Sequence, residues 1–134
     1  MLDTRVSQFV GIPFKAKGRD LETGVDCWGL LYHAEKVLFN KTVPSFQNMY
    51  SWAMDDIQSL IDQMKPLLAY PQVPEPTPGD IVLLRFQGLH THVGLYVGDN
   101  YMLHSDPWGR GLSCLDRLSS PRIAPRIEGF YRVP

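Results

Sequence analysis

No stretch of this chain approaches the ~20 consecutive apolar residues that a bilayer-crossing helix needs, so no membrane span is expected. The first ten residues, Met1–Val10, carry Asp3 and Arg5 and lack the apolar segment of a secretory leader. The chain is therefore expected to be made in the cytoplasm and carried elsewhere, if at all, by something else. An excess of one charge is also lacking: 13 basic residues face 14 acidic ones, for a net charge of -1. Nucleic-acid binding leans on phosphate neutralisation, so no nucleic-acid partner is expected. Cysteine is scarce. Cys27 and Cys114 stand alone, and in a reducing compartment both are read as thiols rather than as a disulfide. Internal repeats are missing too, and no cofactor is called for by any motif.

What is present is the composition of a globular protein, with 44% hydrophobic and 20% charged residues. At 134 residues, the length suits one domain, residues 1–134, with one site. Cys27, Leu30, Leu31, Ala34, Val37 and Leu38 recur at the spacing of one helix face, with Asp26 as N-cap and Asn40 as a left-handed stop. A second helix is expected over Trp52–Lys65, capped by Ser51 and stopped by Pro66. Five prolines between Pro66 and Gly79 then impose an extended path. Beyond them the pattern turns strand-like over Asp80–Phe86, Thr91–Val97, Tyr101–His104, Leu112–Leu115 and Gly129–Val133, punctuated by Gly88, Gly98-Asp99-Asn100 and Pro107–Gly111. Helices followed by an antiparallel meander predict an α+β domain.

A thiol at a helix start gains free N–H groups and partial positive charge, which favour its thiolate. Cys27 occupies that first turn. Strand alternation puts His92, Gly94 and Tyr96 on one face and Val93, Leu95 and Val97 on the other. Gly94 leaves room for a helix end, which favours His92 facing Cys27. A turn at Gly98–Asn100 pairs the next strand, so that His104 can orient the His92 ring. In that geometry Cys27 attacks, His92 moves the proton and His104 positions the base.

Gly11-Ile12-Pro13-Phe14, Asp26-Cys27-Trp28-Gly29, Gly79-Asp80, His92-Val93-Gly94-Leu95-Tyr96 and His104, in this order, resemble the NlpC-type family of papain-like cysteine peptidases that cut bacterial cell-wall peptides. Trp28 and the closing Gly129-Phe130-Tyr131-Arg132 further resemble the branch found in bacteriophage tails. The resemblance implies a circularly rearranged papain-like fold, N-terminal helices packed on a C-terminal antiparallel sheet, and catalytic Cys27, His92 and His104. It implies peptidoglycan stem peptides as substrate, cut between D-glutamate and a diamino acid, with other tail proteins as partners and the virion tail as location. Asp26 would sit near the substrate's free amine, and the Cys27 N–H would join the oxyanion hole. Phe14 stands where many members carry a tyrosine whose hydroxyl assists that hole, and Ala16 and Lys17 stand where Trp and Gly are frequent.

Blander readings compete at several positions. His90, His92, His104 and Cys27 invite a zinc reading, but no close ligand spacing supports one, so no metal is expected. His90 is read as a rim residue, His33 as pointing away from the sulfur, Cys114 as packing and Asp80 as a turn cap. Among Trp28, Trp52 and Trp108, only Trp108 is placed at the substrate rim. Lys15, Lys17, Arg19 and Arg110 are candidates to flank the cleft. Two rival functions share the fold: a structural tail-tip or assembly protein with an idle site, and an amidase or acyltransferase using the same Cys27 and His92.

Overall fold

The computed structural model describes residues 2–46, 69–86, 90–106 and 110–134. A 3-10 turn over Thr4–Phe9 leads to a two-stranded ribbon, β1 (Arg19–Asp20) and β2 (Gly24–Val25), and then to helix α1 (Cys27–Phe39). Strands β3 (Gln72–Val73), β4 (Ile81–Phe86), β5 (His90–Gly98), β6 (Tyr101–Asp106), β7 (Leu112–Arg117) and β8 (Ile127–Tyr131) build one antiparallel sheet in the order β3-β8-β4-β5-β6-β7. The expected α+β class is what forms. The helix expected over 52–65, with Trp52, lies outside the described residues, as does Trp108.

Helix α1 starts and stops where the cap residues dictate. Asp26 accepts a hydrogen bond from the Gly29 N–H, and Asn40 adopts the left-handed conformation at φ 53°, ψ 38°. Arg5 closes the C-terminal end by donating to the Val37 and Leu38 carbonyls at 2.8 and 3.2 Å. Leu30, Ala34 and Leu38 pack with Leu95, Val97 and Leu103, while Cys27 and Leu31 pack with Ile81, Leu83 and Val93. Burying each leucine contributes roughly 1.5–3 kcal/mol. Val37, placed on the apolar face by spacing, is 42% exposed, because that face is narrower than the pattern.

The meander β4-β5-β6-β7 follows the expected order, but the last strand does not extend it. β8 returns to the opposite edge and pairs with β4, Ile81 against Tyr131. A bidentate ion pair fixes that return: Arg132 donates to Asp80 Oδ1 and Oδ2 at 3.0 and 2.9 Å. Asp80 also caps the turn by accepting from the Thr77 N–H at 2.8 Å, the structural role expected of it. Behind the sheet, Val82, Leu84, Met102 and Ile123 form a separate apolar layer. No helix among the described residues is long and apolar enough to cross a membrane.

Candidate active site

Val25, two residues before Cys27, is gripped from both sides. Its N–H donates to the Pro13 carbonyl at 3.0 Å, and its carbonyl accepts from Lys15 N–H and Ser105 Oγ, both at 3.1 Å. Ser105 lies on β6, so this grip sets the start of α1 directly over the sheet. Phe14 forms a parallel bridge with Val25 and donates its N–H to the Gly111 carbonyl at 2.9 Å, which puts it beside the entry to the helix. Gly29 lets the first turn approach the 18–19 segment: a Cβ there would collide with the Gly18 carbonyl and lie 3.1 Å from Arg19 Nη1.

The helix meets the sheet on a different face from the one expected. Val93, Leu95 and Val97 face α1, whereas His92, Gly94 and Tyr96 face away from it. The space left by Gly94 is taken from β6, since a Cβ there would collide with the Met102 thioether and lie 3.4 Å from the His104 Cβ. Burial decides this: three branched apolar residues gain more against the helix than a histidine and a glycine would.

Cys27 nevertheless comes up against β5. The N–H of Tyr96 donates to Asp80, and its carbonyl accepts from Gly79, both at 2.9 Å, so alternate residues of β5 use their main chain on β4. The Val93 N–H points the other way, toward β6, but β5–β6 pairing ends at Leu95–Leu103. Where the two strands part, the N–H groups of Val93 and Trp28 lie near enough to the Cys27 sulfur to favour its thiolate. This places the sulfur one peptide unit from the Cα of His92.

Across the parting strands, His92 Nε2 lies 2.8 Å from His104 Nδ1, and both rings are buried. The chain continues to a residue that sequence reasoning missed: His104 Nε2 is 2.8 Å from Asp116 Oδ2. Asp116 follows the end of the strand expected over Leu112–Leu115, and its place on the His104 face was visible only by extending that alternation. The hydrogen bond from His104 holds its carboxyl below the usual range. Cys114, read as a packing residue, lies 3.6 Å from His104 Nε2. Both cysteines are buried free thiols.

Two electrostatic details correct the sequence reading. Burial, and then the neighbouring Asp26 carboxylate, push the Cys27 thiol up to about 12, outweighing the N–H groups of Val93 and Trp28. The N–H groups at the helix start do not by themselves offset that burial. Asp26, assigned to a substrate amine, is fully buried and engaged: Oδ1 accepts from Gly29 N–H and Arg19 Nη1 at 2.8 Å each, and Oδ2 accepts from Lys17 N–H at 3.0 Å. Arg19 is therefore no cleft-flanking charge; its guanidinium is also hydrogen-bonded to the Ser45 and Gly18 carbonyls. Trp28 is buried, donating to the Pro44 carbonyl at 2.7 Å. His33 is half-buried with Nε2 2.6 Å from the Arg19 carbonyl.

A helix-borne thiol, a histidine pair and an antiparallel sheet define a class of papain-like fold. The model of the NlpC/P60 family matches residues 11–130, and the chain belongs to that family. It is 31% identical over 131 residues to the murein DD-endopeptidase MepH of Escherichia coli K12, a match covering 96% of this chain and 44% of that protein. The chain thus spans under half the length of this curated relative. A lipoprotein-like NLP/P60 family protein of Staphylococcus aureus has a similar fold, with TM-score 0.63 and 21% identity over 94% of this chain and 38% of its own. The peptidoglycan hydrolase RipB of Mycobacterium tuberculosis gives TM-score 0.55 at 19% identity, covering 97% of this chain and 62% of its own.

Proposed function

We propose that residues 1–134 act as one domain that hydrolyses peptide bonds in peptidoglycan, with Cys27 as nucleophile, His92 as general base and His104 as the residue orienting it. The observation that carries this reading is the Cys27 sulfur near enough to the Val93 N–H to feel it, Val93 following in the chain the His92 of the buried His92–His104 pair. A neutral thiol beside an imidazole is deprotonated as it attacks, not beforehand. The Cys27 N–H supplies one oxyanion donor. Phe14, half-buried beside Val25, carries no hydroxyl, so the second donor comes from elsewhere or the hole works with one.

Within peptidoglycan, the cross-link between D-residues is the bond favoured. The relative at 31% identity is named for DD-endopeptidase activity, and the Asp26 carboxylate that a free stem amine would require already has Arg19 and two main-chain donors. The D-glutamyl–diamino acid bond is the second reading, drawn from the ordered motifs of the family. Trp108 is proposed to line the rim. A place in a phage or prophage tail, with tail proteins as partners and the cell wall as target, is supported by Trp28 and the Gly129–Arg132 close, whose Arg132 clamps Asp80.

Incubating purified peptidoglycan with the protein and separating the fragments by mass tests both levels. Loss of cross-linked dimers to monomers supports the DD bond; shortened stems support the D-glutamyl bond. Cys27→Ala should release nothing. Wild-type protein that releases no new amino groups, yet joins tail particles, would hand the case to the structural tail-protein reading.

A further inference from the structure

Beyond His104 the hydrogen bonds run on through three more side chains. Asp116 Oδ2 accepts from His104 Nε2 at 2.8 Å and from Arg122 Nη1 at 3.3 Å. Arg122 Nη2 donates to Asp106 Oδ2 at 2.6 Å, and Asp106 is itself buried. Cys114 Sγ lies 3.6 Å from His104 Nε2 and 3.7 Å from Asp116 Oδ2, so His104, Cys114 and Asp116 have the spacing of a metal-ligand set. Two guanidinium groups face those same atoms, Arg122 on Asp116 and Arg110 on Cys114. Their charge disfavours a cation there and suits a fixed carboxylate.

An ionised carboxylate only accepts hydrogen bonds. His104 Nε2, bonded to Asp116, must therefore carry the proton of the neutral ring, which leaves a lone pair on His104 Nδ1. That lone pair faces His92 Nε2 at 2.8 Å, so His92 Nε2 must in turn be the donor. The lone pair of His92 is then on Nδ1, the nitrogen on the main-chain side of the ring, toward the Val93 amide that favours the Cys27 thiolate. We propose that Asp116, fixed by Arg122, is a positioning residue that sets the tautomers of both histidines so that His92 Nδ1 carries the lone pair that takes the Cys27 proton.

This rests on the reading of Cys27 as nucleophile and His92 as base. In the step so arranged, the S–H bond breaks and an N–H bond forms at His92 Nδ1. The sulfur pair then attacks the peptide carbonyl carbon, whose π pair moves to oxygen. Collapse of that intermediate expels the amine, which takes the proton back from Nδ1, and water then hydrolyses the thioester. Without the carboxylate, His104 is free to hold its proton on Nδ1. His92 Nε2 must then accept, and a proton on His92 Nδ1 blocks the base.

The test is imidazole nitrogen NMR on the full chain, histidine-labelled with 15N, at a pH where the rings are neutral. Wild-type protein should show the protonated-nitrogen shift on Nε2 of both His92 and His104 and the lone-pair shift on both Nδ1. Asp116→Ala, and the closer-shaped Asp116→Leu should Ala not fold, leave His104 Nε2 without a side-chain acceptor and should give mixed or reversed tautomers and lower kcat by about 10²-fold with KM little changed. Asp116→Glu should restore both readouts. Wild-type histidines protonated on Nδ1, or a folded Ala or Leu variant with wild-type tautomers and kcat, would overturn the proposal. Expected tautomers in a protein that cleaves no peptidoglycan would uphold the relay and discard the hydrolase reading instead.

Discussion

The Val93 main-chain N–H lies near enough to the Cys27 sulfur to favour its thiolate, at a point of β5 beyond its pairing with β6. Pairing between β5 and β6 stops at Leu95–Leu103, and the helix start fills the opening. The site is thus built into a parting of the sheet, and its thiol is all but sealed from water, with Cys27 7% exposed.

That sealing predicts a neutral resting thiol. Burial and Asp26 raise the Cys27 pKa to about 12, so the sulfur stays protonated across the physiological range. Thiolate absorbance in the near ultraviolet, compared between wild type and Cys27→Ala, should show no Cys27 step below pH 8, and iodoacetamide labelling should be slow there. A step between pH 4 and 7 that the alanine variant lacks would mean a preformed thiolate–imidazolium pair.

Asp26 should prove chiefly a structural residue. Asp26→Ala removes an N-cap worth about 1 kcal/mol and strands a nearly buried Arg19 guanidinium, for a total on the order of 3–5 kcal/mol. Asp26→Asn keeps a cap acceptor and should lose less. Thermal melts of the two variants against wild type would show this order, and equal melting temperatures for all three would contradict it.

Glu35 should make the fold weaken as pH rises. This buried carboxyl on α1 has no hydrogen-bond partner for either oxygen among the described residues. Burial raises its pKa to about 8, opposed by Lys41 and aided by Asp80. The unfolded carboxyl titrates near 4.3, so the folded state holds the proton more tightly. The stability it contributes is fully present below about pH 4 and is lost as pH climbs through about 8. Glu35→Gln should melt like wild type near pH 4 and be more stable by roughly 2–4 kcal/mol at pH 9. An advantage independent of pH would point to packing instead.

Gly94→Ala should damage the site from behind. The new methyl overlaps the Met102 side chain, which must move beside His104, so a loss of about 1–3 kcal/mol is expected, together with a fall in kcat. Met102→Ala in the same background should return part of both. Failure of the second substitution to help would mean that the glycine is needed for its backbone rather than for space.

The first helix was readable in full from local signals. Asp26, the 3-and-4 spacing and Asn40 are near-neighbour effects that do not wait on the rest of the chain. All five expected strands fell within two residues of their expected ends for the same reason, since alternation and the Gly98–Asn100 turn act locally. The return of β8 to β4 was not legible, because it depends on Arg132 meeting Asp80, which are 52 positions apart. Nor was the face that α1 covers, which a glycine seemed to indicate and which packing volume settled otherwise.

The sequence by itself determined which atoms could do chemistry here: a thiol at a helix start and two imidazoles twelve residues apart on adjoining strands. Only the tertiary structure decided what state those atoms are in. Proton affinity and tautomer depend on burial and on partners such as Asp26, Val93 and Asp116, and a chain acquires those surroundings only once distant segments have packed.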